Sequence, residues 1–196
     1  MSKATVLAFE SNSMLATTIA RGGAPLYAVS TNQHGSTTEI RAPGTNTLLA
    51  RIARRELLPD TIAFADGKPA RLSKWLKQST LADGLPGATF DTPLGACVLR
   101  AHPEHRLALY SADLTRIVAH WGGQSLPPAV PLAPMQVTMA LVFPKAVDAA
   151  SEGRILAAFL FQEQRTRVAE RNGEVHATAV MYRAELLDLA GHQQWT

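Results

Sequence analysis

The stretch Ile155-Leu156-Ala157-Ala158-Phe159-Leu160-Phe161 decides the fold, because it is apolar on every side. It lies within residues 147–171, which are rich in helix formers and contain no proline. A helix that is apolar all round belongs inside a protein or a membrane. Seven residues rise only about 10 Å, which is too short for a bilayer. The sequence therefore predicts a helix buried in a protein interior, which emerges into solvent from Gln162.

The residues before this helix predict β-structure. Most of the first 145 residues form short alternating or β-branched segments, separated by turn residues at the spacing of sandwiches and barrels. Residues 135–143 show the clearest strand pattern, with an apolar side chain at every second position. The predicted strands are residues 5–9, 14–20, 26–31, 37–41, 48–57, 61–64, 88–90, 97–100, 107–110, 117–121 and 135–143.

Three segments do not fit the strand pattern. Residues 70–78 carry apolar side chains at the spacing of a short helical turn. Residues 122–134 contain a Gly-Gly pair and four prolines, so they predict a loop that cannot continue a ladder. Residues 175–189 are ambiguous between strand and helix. We predict one domain over residues 1–196, with a core at about 4–170 and a C-terminal extension at 172–196.

The composition favours an intracellular protein. Cys97 is the single cysteine, so no intramolecular disulfide can form. The apolar run near the start is too short for a signal peptide, and no apolar stretch is long enough to span a bilayer. A net charge of +3 is mildly basic and falls short of a dedicated nucleic-acid surface. We therefore expect a cytoplasmic location and no specific nucleic-acid partner.

The order of these segments resembles an uncharacterised fungal family of unknown function, related to the tubby C-terminal and LURP-one-like folds. The resemblance rests on Tyr-Ala-Val-Ser-Thr at 27–31, Ser-Thr-Thr-Glu-Ile-Arg at 36–41, Ala-Arg-Ile-Ala-Arg at 50–54, Ile-Val-Ala-His-Trp at 117–121, and a late strand running into the apolar helix. It covers about residues 4–165 and implies a mainly β protein: a closed antiparallel β-barrel of about twelve strands around a central hydrophobic helix.

The most concentrated positive charge is a candidate binding site. Tubby-like relatives bind phosphoinositides through basic surface residues, so the resemblance implies a site for anionic headgroups. The alternative is an ordinary solvated face, because strand alternation puts Arg51 and Arg55 on one side and Arg54 on the other. Trp75, beside Lys74, fits either an interfacial contact or the core. The candidate ligand-binding residues are Arg51, Arg54, Arg55, Lys68, Arg71 and Lys74.

Other polar groups suggest weaker sites. His102-Pro103-Glu104-His105 contains metal-ligand types, but the proline and the lack of further ligands favour a turn. Cys97 could pair with His120 as a nucleophile, and Ser30 or Ser111 could pair with a histidine. Cys97 lies in an apolar run, however, where a free cysteine is usually a small buried hydrophobe. No hydrolase elbow or nucleotide-binding loop is present in the sequence, and we predict no metal or cofactor.

These observations favour a non-enzymatic binding module whose ligand is an anionic lipid headgroup or a protein partner. The alternative is a self-associating structural or interaction protein, suggested by the 46% apolar content and by Leu186, Leu187 and Leu189 in the extension. A homo-oligomer is compatible with both hypotheses. An uncharacterised hydrolase-like enzyme ranks third.

Overall fold

The computed structural model describes residues 4–55, 57–65, 67–126 and 136–192, and it describes no side chains at 123–138 or 174–192. The chain divides into two compact units, Met1–Leu160 and Phe161–Thr196. The first unit contains the strands, and the second consists of helix as far as it is described. Among the described residues, no helix combines the length and the apolar character needed to cross a membrane.

The first unit is a thirteen-stranded antiparallel sheet, so the prediction of a mainly β protein is confirmed. The strands are β1 Thr5–Phe9, β2 Ala16–Arg21, β3 Ala24–Thr31, β4 Thr37–Ala42, β5 Thr47–Ala53, β6 Thr61–Phe64, β7 Ala70–Arg71, β8 Lys77–Thr80, β9 Pro86–Thr92, β10 Gly95–His102, β11 Arg106–Ser111, β12 Ile117–Leu126 and β13 Gln136–Phe143. The helices are α1 Leu72–Trp75 and α2 Ala149–His192.

The strands follow one another around the sheet, in the order β7-β6-β5-β4-β3-β2-β1-β13-β12-β11-β10-β9-β8. Because neighbours are antiparallel, successive loops alternate between the two ends of the sheet. One end, which we call the Leu57 end, carries the loops at 10–15, 32–36, 54–60, 81–85 and 103–105. The opposite end carries the loops at 22–23, 43–46, 65–69, 93–94 and 112–116, and the segment that leads into α2.

Among the described residues no backbone ladder joins the two edges of the sheet, so the closed barrel expected from the resemblance is not confirmed. Its edge strands β7 and β8 are consecutive in the chain and are joined by α1. Trp75 of α1 contacts Phe64 of β6 and Phe90 of β9, with ring centroids 5.1 and 5.3 Å apart. Side-chain packing therefore spans the gap that the ladder leaves open.

The start of α2 forms the centre of the core. Asp148 caps the helix, because its carboxylate accepts hydrogen bonds from the backbone N–H of Ser151 at 2.9 Å and from its hydroxyl at 2.6 Å. Residues 155–160 are all completely buried. Phe159 packs edge-on against Trp121, which in turn packs against Phe9. The predicted buried helix is confirmed over these six residues, whereas Phe161 is only half-buried.

Three predictions along the chain were wrong. The loop predicted at 122–134 is wrong at 122–126, because these residues continue β12 and pair with β13, and the rest of the predicted loop lies outside the described residues. Gly122 lies so close to β13 that an added Cβ would stand 3.1 Å from Val142, and the prolines begin only at 127. The helix does not reach solvent at Gln162, because Glu163 and Gln164 are also buried. The predicted strand 48–57 ends at Ala53.

The ambiguous segment 175–189 is helical throughout, so α2 extends to His192. The two-residue strand β7 and the fully exposed strand β8 have no counterpart among the predicted elements.

Candidate functional site

The predicted basic residues do not form one cluster, and Arg51 lies apart from the loops. Arg51 projects from the outer face of β5, where its Nε and Nη2 each lie 2.8 Å from Oε1 of Glu39. Arg41 donates to the other oxygen of Glu39 at 2.9 Å. Partial burial acts to raise the pKa of Glu39, but the hydrogen bonds and charges of the two arginines outweigh it and hold that pKa below its usual value. Glu39 therefore pairs with both arginines, and the three side chains together keep one positive charge.

Arg54 has a structural role. Arg54 lies just beyond the end of β5, and its side chain is more buried than that of Arg51. Its Nη1 donates to the carbonyl of Gly35 at 3.2 Å and to Oγ1 of Thr38 at 3.1 Å. Burial lowers the pKa of Arg54, and the charge of Asp60 opposes that effect. The guanidinium thus ties the 32–36 loop to the end of β5.

Arg55 and Arg71 lie at the Leu57 end, and Lys74 lies in α1, which begins there. Asp60 connects their segments: its carboxylate accepts the backbone N–H of Arg55 at 3.0 Å, and its carbonyl accepts that of Leu72 at 2.8 Å. Arg71 pairs with Thr61 in the ladder, one residue beyond Asp60. All three basic side chains are exposed, and no ion pair joins them to a carboxylate in the described part of the chain. Lys68 is exposed too, but it follows β6 at the opposite end.

The loop at 54–60 also presents two leucines that the sequence analysis missed. Leu57 is 96% exposed and Leu58 is 59% exposed. The sequence predicts that Leu57 lies in a strand, whereas β5 stops at Ala53. The signal that could have found them is the sequence Leu57-Leu58-Pro59-Asp60, since leucines directly before a Pro-Asp turn are no longer in a ladder. Apolar and basic side chains therefore share this end.

Three histidines stack on one another at the same end of the sheet. The ring centroids of His102 and His105 are 4.6 Å apart, and those of His105 and His120 are 3.9 Å apart. Nδ1 of His102 accepts the backbone N–H groups of Glu104 and His105, which confirms the predicted turn. Burial lowers the pKa of His105, the charges of His120 and His102 add to this, and Glu104 opposes it. No group of three or more potential metal ligands converges among the described residues.

The candidate nucleophiles have other partners. The thiol of Cys97 is buried and lies 3.8 Å from Oγ1 of Thr92 and 3.7 Å from the carbonyl of Gly95. Burial raises the pKa of this thiol, so the reactive thiolate is disfavoured. The hydroxyl of Ser111 donates to Asp113 at 2.6 Å within a turn. These contacts are structural.

A buried carboxylate lies in the first turn of α2. Glu152 is 1% exposed, accepts the hydroxyl of Tyr27 at 2.5 Å and forms an ion pair with Arg21. Burial raises the pKa of Tyr27, and the hydrogen bond and charge of Glu152 raise it further. The sequence analysis did not identify this cluster, because its members lie on β2, β3 and α2. It anchors the helix start to the sheet.

The leucines proposed for self-association, Leu186, Leu187 and Leu189, have side chains outside the described residues. The fold and surface thus define a mainly β protein, in which an antiparallel sheet packs around a buried helical segment. A family model described as "Family of unknown function (DUF6593)" matches residues 12–168, so the chain belongs to that family.

A solved X-ray structure of a protein from Arabidopsis thaliana is similar to the chain, with a TM-score of 0.48 and 11% sequence identity. The match covers 84% of this chain and 93% of that one. No curated protein matches the sequence.

Proposed function

We propose that the protein is a non-enzymatic binding module for anionic lipid headgroups, with Arg55, Arg71 and Lys74 as the binding groups. The observation that carries this proposal is that these three cations are exposed, lie on the two segments that Asp60 connects, and pair with no carboxylate among the described residues. Arginine and lysine donate charge-assisted hydrogen bonds to phosphate oxygens, and such bonds are about twice as strong as neutral ones. The proposed site contains three of the six basic residues that the sequence analysis names.

The other predicted basic residues contribute less to this site. Arg51 already pairs with Glu39, and Arg54 donates a hydrogen bond to the 32–36 loop. Lys68 lies at the opposite end. The cytoplasmic leaflet is the anionic surface that suits such a module, which is the reason to place the protein in the cytoplasm.

Vesicle co-sedimentation tests the proposal. The full chain is mixed at low salt with vesicles of phosphatidylcholine alone, or of phosphatidylcholine with phosphatidylserine, and only the second should pellet it. Each cation near an anionic surface is worth about 1 kcal/mol, so replacing Arg55, Arg71 and Lys74 by alanine should weaken binding roughly a hundredfold. Equal pelleting with both vesicles would refute lipid headgroup binding.

A matched control has the same change of charge at the opposite end. Lys68, Arg116 and Lys145 are also exposed, and they lie on or beside the loops of that end. Their triple alanine variant should keep wild-type binding if position matters. An equal loss in both triple variants would mean that only net charge acts, and the proposed site would then be wrong.

We also propose that the sheet is a tubby-like barrel in which side chains seal the last gap. Trp75 supports this, together with Arg154 of α2, whose guanidinium lies 5.1 Å from the ring centroid of Phe64 and 3.4 Å from the carbonyl of Asp91. These contacts link strands near both edges. Trp75→Ala should then speed amide hydrogen exchange in β6 and β9 more than in β1. Uniform protection in the variant would contradict a sealing role.

A further inference from the structure

Exposed leucines gather at one end of the sheet. Leu57 and Leu58 lie in the 54–60 loop, Leu15 at 53% exposure in the 10–15 loop, and Leu85 at 51% in the 81–85 loop. All these loops belong to the Leu57 end. Leu94, at 49%, is the exposed leucine described at the opposite end. Exposed apolar side chains scattered singly need no explanation, whereas Leu57 and Leu58 are consecutive, and adjacent exposed apolar side chains are a candidate interaction site.

Folding does not account for the most exposed of these side chains. Leu57 at 96% exposure gains nothing from the core, so its apolar surface is available to a partner. The loop that carries it lies beside Arg55, and the Asp60 backbone joins it to α1 with Lys74. The exposed leucines therefore lie on a loop that adjoins the segments carrying Arg55 and Lys74.

Two exposed carboxylates of the Leu57 end, Glu10 and Glu104, lie in loops that other strands separate from the 54–60 loop. The carboxylate of Asp60 already accepts a backbone N–H of the same loop. Asp83, in the loop that carries Leu85, forms an ion pair with Arg100. Glu56 adjoins Leu57 in the sequence and lies outside the described residues. The described exposed charges nearest to Leu57 and Leu58 along the chain and the ladder are those of Arg55 and Arg71, which complement an anionic surface.

We propose that Leu57 and Leu58 insert into the interfacial region of an anionic bilayer, while Arg55, Arg71 and Lys74 bind its headgroups. This inference rests on the proposed function and adds a second, apolar component to it. Separate leucines on loop tips cover a few hundred Å² at most, well below the roughly 1,200 Å² that a stable protein interface buries. A fluid bilayer accepts separated protrusions, and apolar burial there adds to electrostatic attraction.

A fluorescent probe at the loop tests the insertion directly. In the full chain carrying Cys97→Ala, the variant Leu57→Cys is labelled with an environment-sensitive dye, and Leu94→Cys is labelled as the matched control. On vesicles of phosphatidylcholine and phosphatidylserine, the dye at 57 should shift to the blue and be quenched by brominated acyl chains. The dye at 94 should show neither effect.

The outcomes separate the two proposals. If the labelled proteins pellet with these vesicles but the dye at 57 is not quenched, the insertion is refuted and headgroup binding stands. If they do not pellet at all and unlabelled wild-type protein also fails to pellet, both proposals fall. Equal quenching at 57 and 94 would also refute the insertion, because contact would then not be specific to the Leu57 end.

A second variant removes the apolar contribution and keeps the charge. Leu57→Asn with Leu58→Asn should weaken binding to the anionic vesicles on the order of tenfold, because two partly buried leucines are lost from the interface. Leu94→Asn should bind like wild type. Circular dichroism of both variants checks that the fold is retained. Unchanged binding by the double asparagine variant would overturn the inference even if the charge variants behave as expected.

Discussion

The core and the Leu57 end use the same residue type in opposite ways. Leu160, in the helix at the centre of the sheet, is completely buried, whereas Leu57 is 96% exposed. Burying a leucine stabilises a fold by about 1.5–3 kcal/mol, so the position of Leu160 is explained by folding alone. Leu57 obtains no such stabilisation. The difference shows that buried apolar residues stabilise the fold, whereas exposed apolar residues need another explanation. It also predicts that substitutions in the core will destabilise the protein more than substitutions at the Leu57 end.

The largest expected effect is at Phe159. Phe159→Ala removes a ring that is completely buried against Trp121, and such changes cost about 3–5 kcal/mol. We expect a drop of that size in the free energy of unfolding, measured by urea titration. Leu94→Ala is the exposed control and should change it little. A loss below about 1 kcal/mol at Phe159 would mean that the helix is not part of a close-packed core.

The next effect is at the start of the same helix. Glu152→Ala leaves the hydroxyl of Tyr27 without its acceptor, and an unsatisfied buried donor costs about 1–3 kcal/mol. The guanidinium of Arg21 is 48% exposed, so water can replace its lost counter-charge. Tyr27→Phe should cost about 1 kcal/mol, because it removes one hydrogen bond while the ring stays packed. Both values come from denaturant unfolding.

A double-mutant cycle decides whether these two groups act together. If the carboxylate and the phenol interact as the structure shows, the double variant should be more stable than the sum of the single effects predicts. Strictly additive losses would show that the hydrogen bond contributes nothing of its own.

The buried helix was predictable because its signal is local. Seven consecutive apolar residues predict a buried environment, and this prediction needs no information from any other part of the chain. Strands β3 and β4 were predicted for a similar reason, since their alternating residues flank a turn rich in Asn and Gly. The edge strands β7 and β8 were missed, because β7 has two residues and β8 is exposed throughout, so neither carries an alternating pattern.

Features that depend on distant partners were not predictable. The extension of β12 through Gly122 exists because β13 supplies a partner strand, and the composition of the segment indicates a loop. The Tyr27–Glu152 contact joins residues 125 positions apart. The basic site was predicted as a linear concentration of charge, whereas in the structure Arg51 pairs with Glu39 and Arg54 donates to the 32–36 loop.

A smaller effect concerns pH and the histidine stack. The pKa of His105 lies below its usual value of 6.5, so His105 binds a proton less readily in the folded protein than in the unfolded chain. His120 from β12 and His102 from β10 face it, and Glu104 partly offsets their repulsion. As the pH falls through about 6.5, the unfolded chain binds protons first, and the free energy of unfolding decreases until His105 in the folded state also titrates.

His105→Gln tests this dependence. Urea unfolding of wild type and variant, compared at neutral pH and at about pH 5, should show a smaller acid-induced loss in the variant. The effect is modest because the ring is partly exposed and solvent screens the charges. An identical loss in both proteins would assign the acid sensitivity to other groups.

The smallest effect on stability should come from the most exposed leucines. Leu57→Asn with Leu58→Asn should leave the free energy of unfolding within about 0.5 kcal/mol of wild type, since surface substitutions away from packed contacts rarely do more. Leu160→Asn, the same change at a buried position, should be severely destabilising because it buries an amide without partners. If the double variant is destabilised as strongly as Leu160→Asn, the leucines of the loop pack against the fold, and their exposure no longer points to a partner.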